Sequence, residues 1–240
     1  MPGVQNAWRV IVQSEEVRQT YIKWTNPEKV LALGSPKIDA VVNYKVNRDE
    51  LPASWKEKCG GKKNFLYNTH LSSIISEGPL FIKRLQKVWE YFKKHQEIAL
   101  LWRPHPLSIQ TAEAMNPDFL KAYLYMVEQF KLLDNCIYDD TPDLNRAIGL
   151  SDAYMGDYSS LVMLYGFTGK PIYLHSHQNR NMSEFERNSL LCDNGVIYND
   201  TFWMTHNLFN GLFKVDLRTG EAEFVTEIYG ENWNQESLFR

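Results

Sequence analysis

Two stretches hold residue types that suit an anionic ligand. The first, Arg103-Pro104-His105-Pro106, ends the apolar run Ile98–Trp102 (IALLW). A guanidinium and an imidazole standing together offer donors to phosphate oxygens, and two prolines fix the chain that carries them. The plainer reading is a proline-stiffened loop with an exposed Arg and a satisfied His. The second stretch is Ser151–Ser176, SDAYMGDYSSLVMLYGFTGKPIYLHS. It reads as a short strand (Ala153–Met155), a polar turn (Gly156-Asp157-Tyr158), a helix opening at Ser159-Ser160, and a strand from Pro171 to Leu174. Hydroxyls at a helix mouth, where the first-turn N–H groups lack partners and the macrodipole favours negative charge, suit a phosphate. Gly156 lets the backbone approach closely or take positive φ. Equally, Asp157, Ser159 and Ser160 can serve only as helix caps. Asp139-Asp140 could act as ribose contacts or metal ligands; a helix-start signal ahead of Thr141-Pro142-Asp143 is the favoured reading.

The elements that would position these residues follow from the patterning. Residues 9–14 (RVIVQS) predict a buried strand, Ser14 caps a helix running to about Trp24, and Lys29–Leu33 predicts a second strand. Another helix opens near Asp39. Residues 46–63 are largely polar, carry Pro52 and Gly60-Gly61, and read as a linker or surface excursion. Strands are then expected at 64–68, 98–102, 136–138, 153–155 and 171–174. A long helix from Pro79 between the first two buries Phe81, Leu85, Val88, Trp89 and Phe92, with Lys83, Arg84, Lys87, Lys93 and Lys94 facing solvent. A helix from Asn116-Pro117 buries Phe119, Tyr123, Met126, Val127 and Phe130. Alternating strands and helices with right-handed crossovers give an α/β fold, a doubly wound parallel sheet of about five strands. Ligands bind such sheets outside the carboxyl ends of the strands, which is where both anion-friendly stretches fall.

Beyond His177 the character changes. Residues 178–194 read as irregular or helical. Short strands at 196–199, 201–205, 211–216 and 221–228, with turns at Asn199-Asp200 and Arg218-Thr219-Gly220, form a short antiparallel β segment resembling one blade of a truncated β domain. The implied domains are 1–45, a strand–helix–strand remnant; 46–63, a linker; 64–194, the Rossmann-like domain; and 195–240, the β appendage.

Composition narrows the function. The chain has 240 residues, 44% hydrophobic and 13% aromatic, as expected of a globular protein. A net charge of −3 gives no overall basic field for nucleic acid. Three widely spaced cysteines, Cys59, Cys136 and Cys192, without CxxC, argue against a disulfide framework or a zinc cage and fit a reducing cytosol. His175, His177 and His206 form no metal spacing, so no metal and no cofactor are expected. No run is long and apolar enough to cross a membrane, the first residues lack a signal peptide's apolar core, and no GxGxxG or GxxxxGK[ST] motif occurs.

LWRPHPL, followed about fifty residues later by SDAYMGDYSSLVMLYGFTGKPIYLH, resembles the CDP-glycerol glycerophosphotransferase family, the teichoic-acid polymerases of Gram-positive bacteria. The matching positions are Arg103–Pro106, Asp152, Asp157-Tyr158-Ser159-Ser160 and Lys170-Pro171, and the likeness covers roughly residues 9–175. It implies a GT-B-like carboxyl-terminal domain holding a nucleotide diphosphate donor, CDP-glycerol or a nucleotide sugar. Arg103, His105, Asp157, Ser159 and Ser160 would then form the diphosphate site. It further implies work in the cytoplasm, peripherally at the inner face of the cell membrane, on a cell-envelope polymer. The sequence departs from the family where Asn68-Thr69-His70-Leu71 replaces the usual Arg after the first strand of this domain. His70 is the internal candidate for a catalytic base. The amino-terminal acceptor half of a GT-B enzyme is almost wholly missing from the pattern. A separate acceptor-domain chain or a homo-oligomer would supply it. The competing functions are a GT-B glycosyltransferase and a non-catalytic nucleotide-binding or interaction module.

Overall fold

The computed structural model describes residues 2–175, 193–198, 201–206 and 211–227. They divide into two compact units, residues 1–44 and 45–240. In the first, helix α1 (Pro2–Asn6) precedes strand β1 (Val10–Val12), helix α2 (Glu15–Tyr21), strand β2 (Val30–Ala32) and helix α3 (Pro36–Val42). Ser14 caps α2 by accepting the Val17 N–H at 3.2 Å, as the sequence predicts. β1 and β2 pair in parallel, and Arg18 ties the crossover down by donating from Nε to the Val30 carbonyl at 2.7 Å.

The second unit opens with α4 (Ala53–Cys59), which buries Trp55 and Cys59. The stretch expected to be a linker therefore contributes a packed helix. Two apolar side chains one turn apart carry that helix, and the polar residues around them mask it. Lys58 anchors it by donating to the carbonyls of Lys131, Leu133 and Cys136 at 2.7–3.0 Å. Arg146 lies over the Trp55 ring at 4.6 Å.

The rest of the unit runs β3 (Lys63–Thr69), α5 (Leu71–Glu77), α6 (Pro79–Lys94), β4 (Ile98–Pro104), α7 (Ser108–Met115), α8 (Pro117–Lys131), β5 (Cys136–Tyr138), α9 (Leu144–Leu150), β6 (Ala153–Gly156), α10 (Ser160–Gly166) and β7 (Ile172–Leu174). Strands β7-β6-β3-β4-β5 form a parallel sheet in that order. This is the doubly wound arrangement the alternation predicts. Register puts Tyr67, Trp102 and Tyr138 in one row with Met155, on the face covered by α6 and α8. Phe81, Leu85, Val88, Phe92, Tyr123 and Phe130 fill that core. On the opposite face Tyr154 packs against Tyr165 of α10 at 5.5 Å. Two side chains depart from the helix pattern. Tyr91 is buried with the α6 stripe, and Arg84, expected in solvent, is turned inward.

The antiparallel strands are not a separate blade. β8 (Asp193–Tyr198) pairs in parallel with β7, and β9 (Thr201–His206), β10 (Gly211–Val215) and β11 (Ala222–Glu227) continue the same nine-stranded sheet antiparallel. Their inner residues Phe202, Met204 and Val215 join the main core, and Phe202 meets Tyr173 edge-on at 5.1 Å. The expected irregular segment and the Asn199-Asp200 turn lie largely outside the described residues. Asp216 accepts the Arg218 and Thr219 N–H groups in the described turn that closes at Gly220.

Gly156 is where the sheet tolerates no side chain. Its φ is +134°, and a Cβ there would lie 2.1 Å from the Asn68 carbonyl oxygen. Gly169 also has positive φ, +69°, yet a Cβ there meets nothing. Gly156→Ala is accordingly expected to lower the unfolding free energy by about 3 kcal/mol or more, and Gly169→Ala by about 1 kcal/mol. Urea titrations followed by circular dichroism check this; equal losses at the two glycines would contradict the close-approach account.

Candidate functional site

The chain leaves β3 toward β4 on one side and leaves β6 toward β7 on the other, although β3 and β6 are neighbours. The loops after these two strands part company, and a crevice opens at their carboxyl ends. Asn68 laces it. Its Nδ2 donates to the Arg103 carbonyl of β4 at 2.9 Å, and its Oδ1 accepts from Ser159 Oγ at 2.9 Å and Tyr154 Oη at 3.2 Å.

Asp157 follows Gly156 directly into the crevice floor and is 0% exposed. Its Oδ2 accepts the His70 main-chain N–H at 2.7 Å, so it fixes the loop after β3. Its Oδ1 meets Arg84 Nη1 at 2.9 Å. Arg84, whose side chain is 14% exposed, is also gripped in bidentate fashion by Glu77 at 2.8 and 3.0 Å. Burial by itself would raise the Asp157 pKa, but the Arg84 charge, His175 and the hydrogen bonds outweigh it and hold the carboxyl below its ordinary range. Burial likewise works against the Arg84 charge, and the carboxylates override it.

The rim of the crevice carries donors. His70 caps α5, with its Nδ1 accepting the Ser72 N–H at 3.3 Å. His105 Nδ1 accepts the Leu107 N–H at 3.1 Å, and the His105 main-chain N–H donates to the Thr69 carbonyl at 3.0 Å. The two imidazoles meet edge to face, 5.4 Å between centroids. Ser159 caps α10, accepting the Leu161 N–H at 3.2 Å, and Ser160 is the exposed first residue of that helix.

A second ion pair stands beside this one. Asp139, whose side chain is buried, meets Arg103 Nη1 at 2.5 Å and takes the Thr141 N–H and hydroxyl on its other oxygen at 3.1 and 2.6 Å. Arg103 Nη2 donates to the Thr141 carbonyl at 2.8 Å. Asp139 and Asp140 thus do not start a helix. Asp143 caps α9 by accepting the Arg146 N–H at 3.0 Å, and Pro142 precedes the cap. Asp140 is exposed.

The structure therefore gathers His70, His105, Asp157 and Ser159 at one crevice, with Ser160 beside it and Arg103 and Asp139 at the adjoining strand ends. It gives Asp157 and Arg103 buried ionic partners. Arg84, Glu77 and Asn68 escape a sequence reading; the one signal is an Arg on an apolar helix four residues ahead of Val88, and it resembles a solvated face. Two motif residues lie at the opposite edge. Lys170 donates to the carbonyls of Ile148, Gly149 and Ser151 at 2.5–3.3 Å and closes α9. Asp152 accepts the Asn64 N–H at 2.8 Å. His175 is buried edge-on to Tyr67 at 6.0 Å; His177 lies outside the described residues.

The family model described as CDP-Glycerol:Poly(glycerophosphate) glycerophosphotransferase matches residues 4–189. The chain belongs to this family. Among solved structures, this glycerophosphotransferase-family chain is similar in fold to the wall teichoic acid polymerase TagF, at 17% identity and a TM-score of 0.47, covering 70% of this chain and 38% of that one. It is also similar to a UDP-N-acetylglucosamine 2-epimerase from Listeria monocytogenes, described as putative (14% identity, TM-score 0.49, 74% and 43% covered). MnaA of S. aureus, solved with UDP, matches at 17% identity and a TM-score of 0.48, over 71% and 43%. The family member thus spans less than half the length of each. No curated protein sequence matches it.

Arg84→Met leaves Asp157 buried without its cation and is expected to cost about 3–5 kcal/mol of stability at neutral pH. The pH dependence has a definite sign. A depressed carboxyl pKa stabilises the fold fully above the ordinary Asp value of 3.8 and loses that contribution as pH falls through the lower folded value. In Arg84→Met the isolated carboxyl binds a proton more readily when folded, so the gap to the wild type narrows as pH drops from 7 toward 4. Unfolding free energies measured across that range test it, and a constant gap would exclude the buried-charge account.

Proposed function

We propose that this chain is the donor-binding part of a transferase that moves a glycerophosphate group from a nucleotide diphosphate, CDP-glycerol, to a cell-envelope polymer. The observation that carries the reading is electrostatic. The two carboxylates at the strand ends, Asp139 and Asp157, are buried and each is paired with a partly buried arginine, while His70, His105 and Ser160 stand nearer the surface. A crevice so arranged offers donors and no unpaired carboxylate among these wall residues, which suits the acceptor-only oxygens of a diphosphate. In the reaction the acceptor hydroxyl attacks the glycerol-bearing phosphorus and the bridging oxygen leaves with CMP. Donors placed at the diphosphate stabilise the charge that gathers on that leaving group. Family membership and position at the topological switch point support the same reading. The work is done at the cytoplasmic face of the membrane.

A second reading is a nucleotide-binding module without transferase activity. Both readings predict nucleotide binding; only the first predicts turnover when an acceptor domain is added.

Calorimetric titration with CDP-glycerol, CDP, UDP-N-acetylglucosamine and NAD is the direct test. CDP-glycerol is expected to bind in the micromolar range, and Ser160→Ala to weaken it about tenfold by removing one donor to a charged oxygen. Tighter binding of the UDP-sugar would move the function to glycosyl transfer. Equal, weak binding of all four would remove the donor-site assignment.

A further inference from the structure

Strands β8–β11 lie past residue 189, where the family match ends, so the donor-site reading gives them no task. Among the described residues β11 is the outermost strand of the sheet. Its pairing with β10 fixes which of its main-chain groups are open. The Asp216 N–H donates to the Glu221 carbonyl at 2.9 Å, so Asp216 and Glu221 form a hydrogen-bonded pair. Antiparallel pairs alternate, which makes Lys214–Glu223 the next bonded pair. Ala222 and Phe224, opposite Val215 and Phe213, therefore turn their N–H and C=O groups outward. Beyond them the register shifts, and Val225 has no counterpart in β10. The edge open to another strand is residues 221–224.

The side chains along this edge divide by face. Ala222 and Phe224 share the face of Val215 and Phe213, which belong to or pack against the core. Phe224 meets Phe213 edge-on at 5.5 Å and is still 54% exposed. Beside Ala222 a cleft of about 550 Å³ has Tyr91 and Ile98 on one wall and Phe202 and Val215 on the other. On the opposite face of the strand, Glu223 stands across from Lys214, whose Nζ lies 5.6 Å over the Trp203 ring. Asp216 is paired with Arg218 at 3.1 Å, and Glu97 meets His95 Nδ1 at 3.0 Å. Glu221 and Glu223 are exposed and take part in no ion pair among the described residues.

We propose that the edge of β11 takes up, as an added strand, an extended segment of a partner protein in which apolar residues alternate with Lys or Arg. An added strand keeps the face alternation of its neighbour. Its apolar side chains then cover Phe224 and enter the cleft beside Ala222, and its cations come to Glu221 and Glu223. A second copy of this chain suits the edge less well. Two β11 strands side by side set Glu221 and Glu223 of both copies along one seam and add no cation. The open run is short, so the contact belongs to the weak, exchanging class.

The probe is a blocked peptide alternating valine with lysine, titrated against the whole chain beside valine–glutamate and valine–serine peptides. The lysine peptide is expected to bind with a dissociation constant of about 10–100 μM, and the other two about tenfold more weakly. The double variant Glu221→Lys/Glu223→Lys is expected to reverse the order of the lysine and glutamate peptides. Ala222→Pro removes an outward N–H and leaves the ladder to β10 in place, so the fold persists and the lysine peptide binds about tenfold more weakly. Amide exchange followed by NMR reads the pairing itself. The Ala222 and Phe224 amides are expected to exchange fast in the free chain and slowly with the lysine peptide bound, and the Glu223 amide slowly in both. CDP-glycerol affinity is expected to stay the same in these variants, which keeps this outcome separate from the donor-site reading. Slow exchange at Ala222 and Phe224 in the free chain would mean that the edge is already covered, by this chain or a second copy, and would overturn the proposal. So would equal binding of the three peptides, no binding of the lysine peptide to folded wild type, or binding that leaves those two amides unprotected.

Discussion

One buried carboxylate holds the carboxyl edge of this sheet together. β3 and β6 lie side by side, but their outgoing loops diverge, and Asp157 is the group that spans the divergence. Its two oxygens bind the main chain after β3 and the guanidinium of α6. A fully buried charge without such partners is costly enough to unfold a domain of this size. The position of Arg84, the tilt of Glu77 toward it and the course of the loop at His70 are therefore consequences of satisfying one side chain. Gly156 belongs to the same constraint, since only a residue without Cβ lets Asp157 follow so closely on the Asn68 carbonyl.

The two edges of the sheet use cations differently. At the amino edge, Lys170 binds three carbonyls at the end of α9, and Asn135 binds three at the end of α6 and the entry to β4. These contacts fill orphan acceptors at helix ends. At the carboxyl edge the arginines are spent on carboxylates instead, and the open positions go to imidazoles and hydroxyls.

Much of the architecture was legible in the residues. The alternation of apolar runs with amphipathic stretches set out the five parallel strands, and Ser14, Asn116-Pro117 and Ser159 marked helix starts that the caps bear out. The motif residues Arg103, His105, Asp157 and Ser159 come to one sheet edge because each lies at or just past the carboxyl end of a strand of the same parallel sheet. What the sequence concealed were long-range pairings. Arg84 and Asp157 are seventy-three residues apart, and nothing local distinguishes a lysine-rich solvated helix face from one that hides an ionic partner. The packed α4 was concealed for a similar reason, because Trp55 and Cys59 are two apolar residues in a polar stretch. The continuation of the sheet into β8 escaped notice because strand patterning gives a strand's faces and not its neighbour.

The central place of β3 has a consequence for how the chain assembles during synthesis. β3 is the first strand of its sheet to be made, and it pairs on one side with β4 and on the other with β6, whose residues Ala153–Gly156 emerge some ninety positions later. In the interval the half-sheet β3-β4-β5, with α6 and α8 against it, can close as a local unit, while the far edge of β3 stays unpaired. Arg84 would meet that stage as a half-buried cation, and Glu77, only seven residues away, is the local carboxylate that can hold it until Asp157 arrives. The bidentate Glu77–Arg84 grip is thus made from nearby sequence, whereas the contact to Asp157 waits for β6, the fourth of the nine strands of this sheet in chain order.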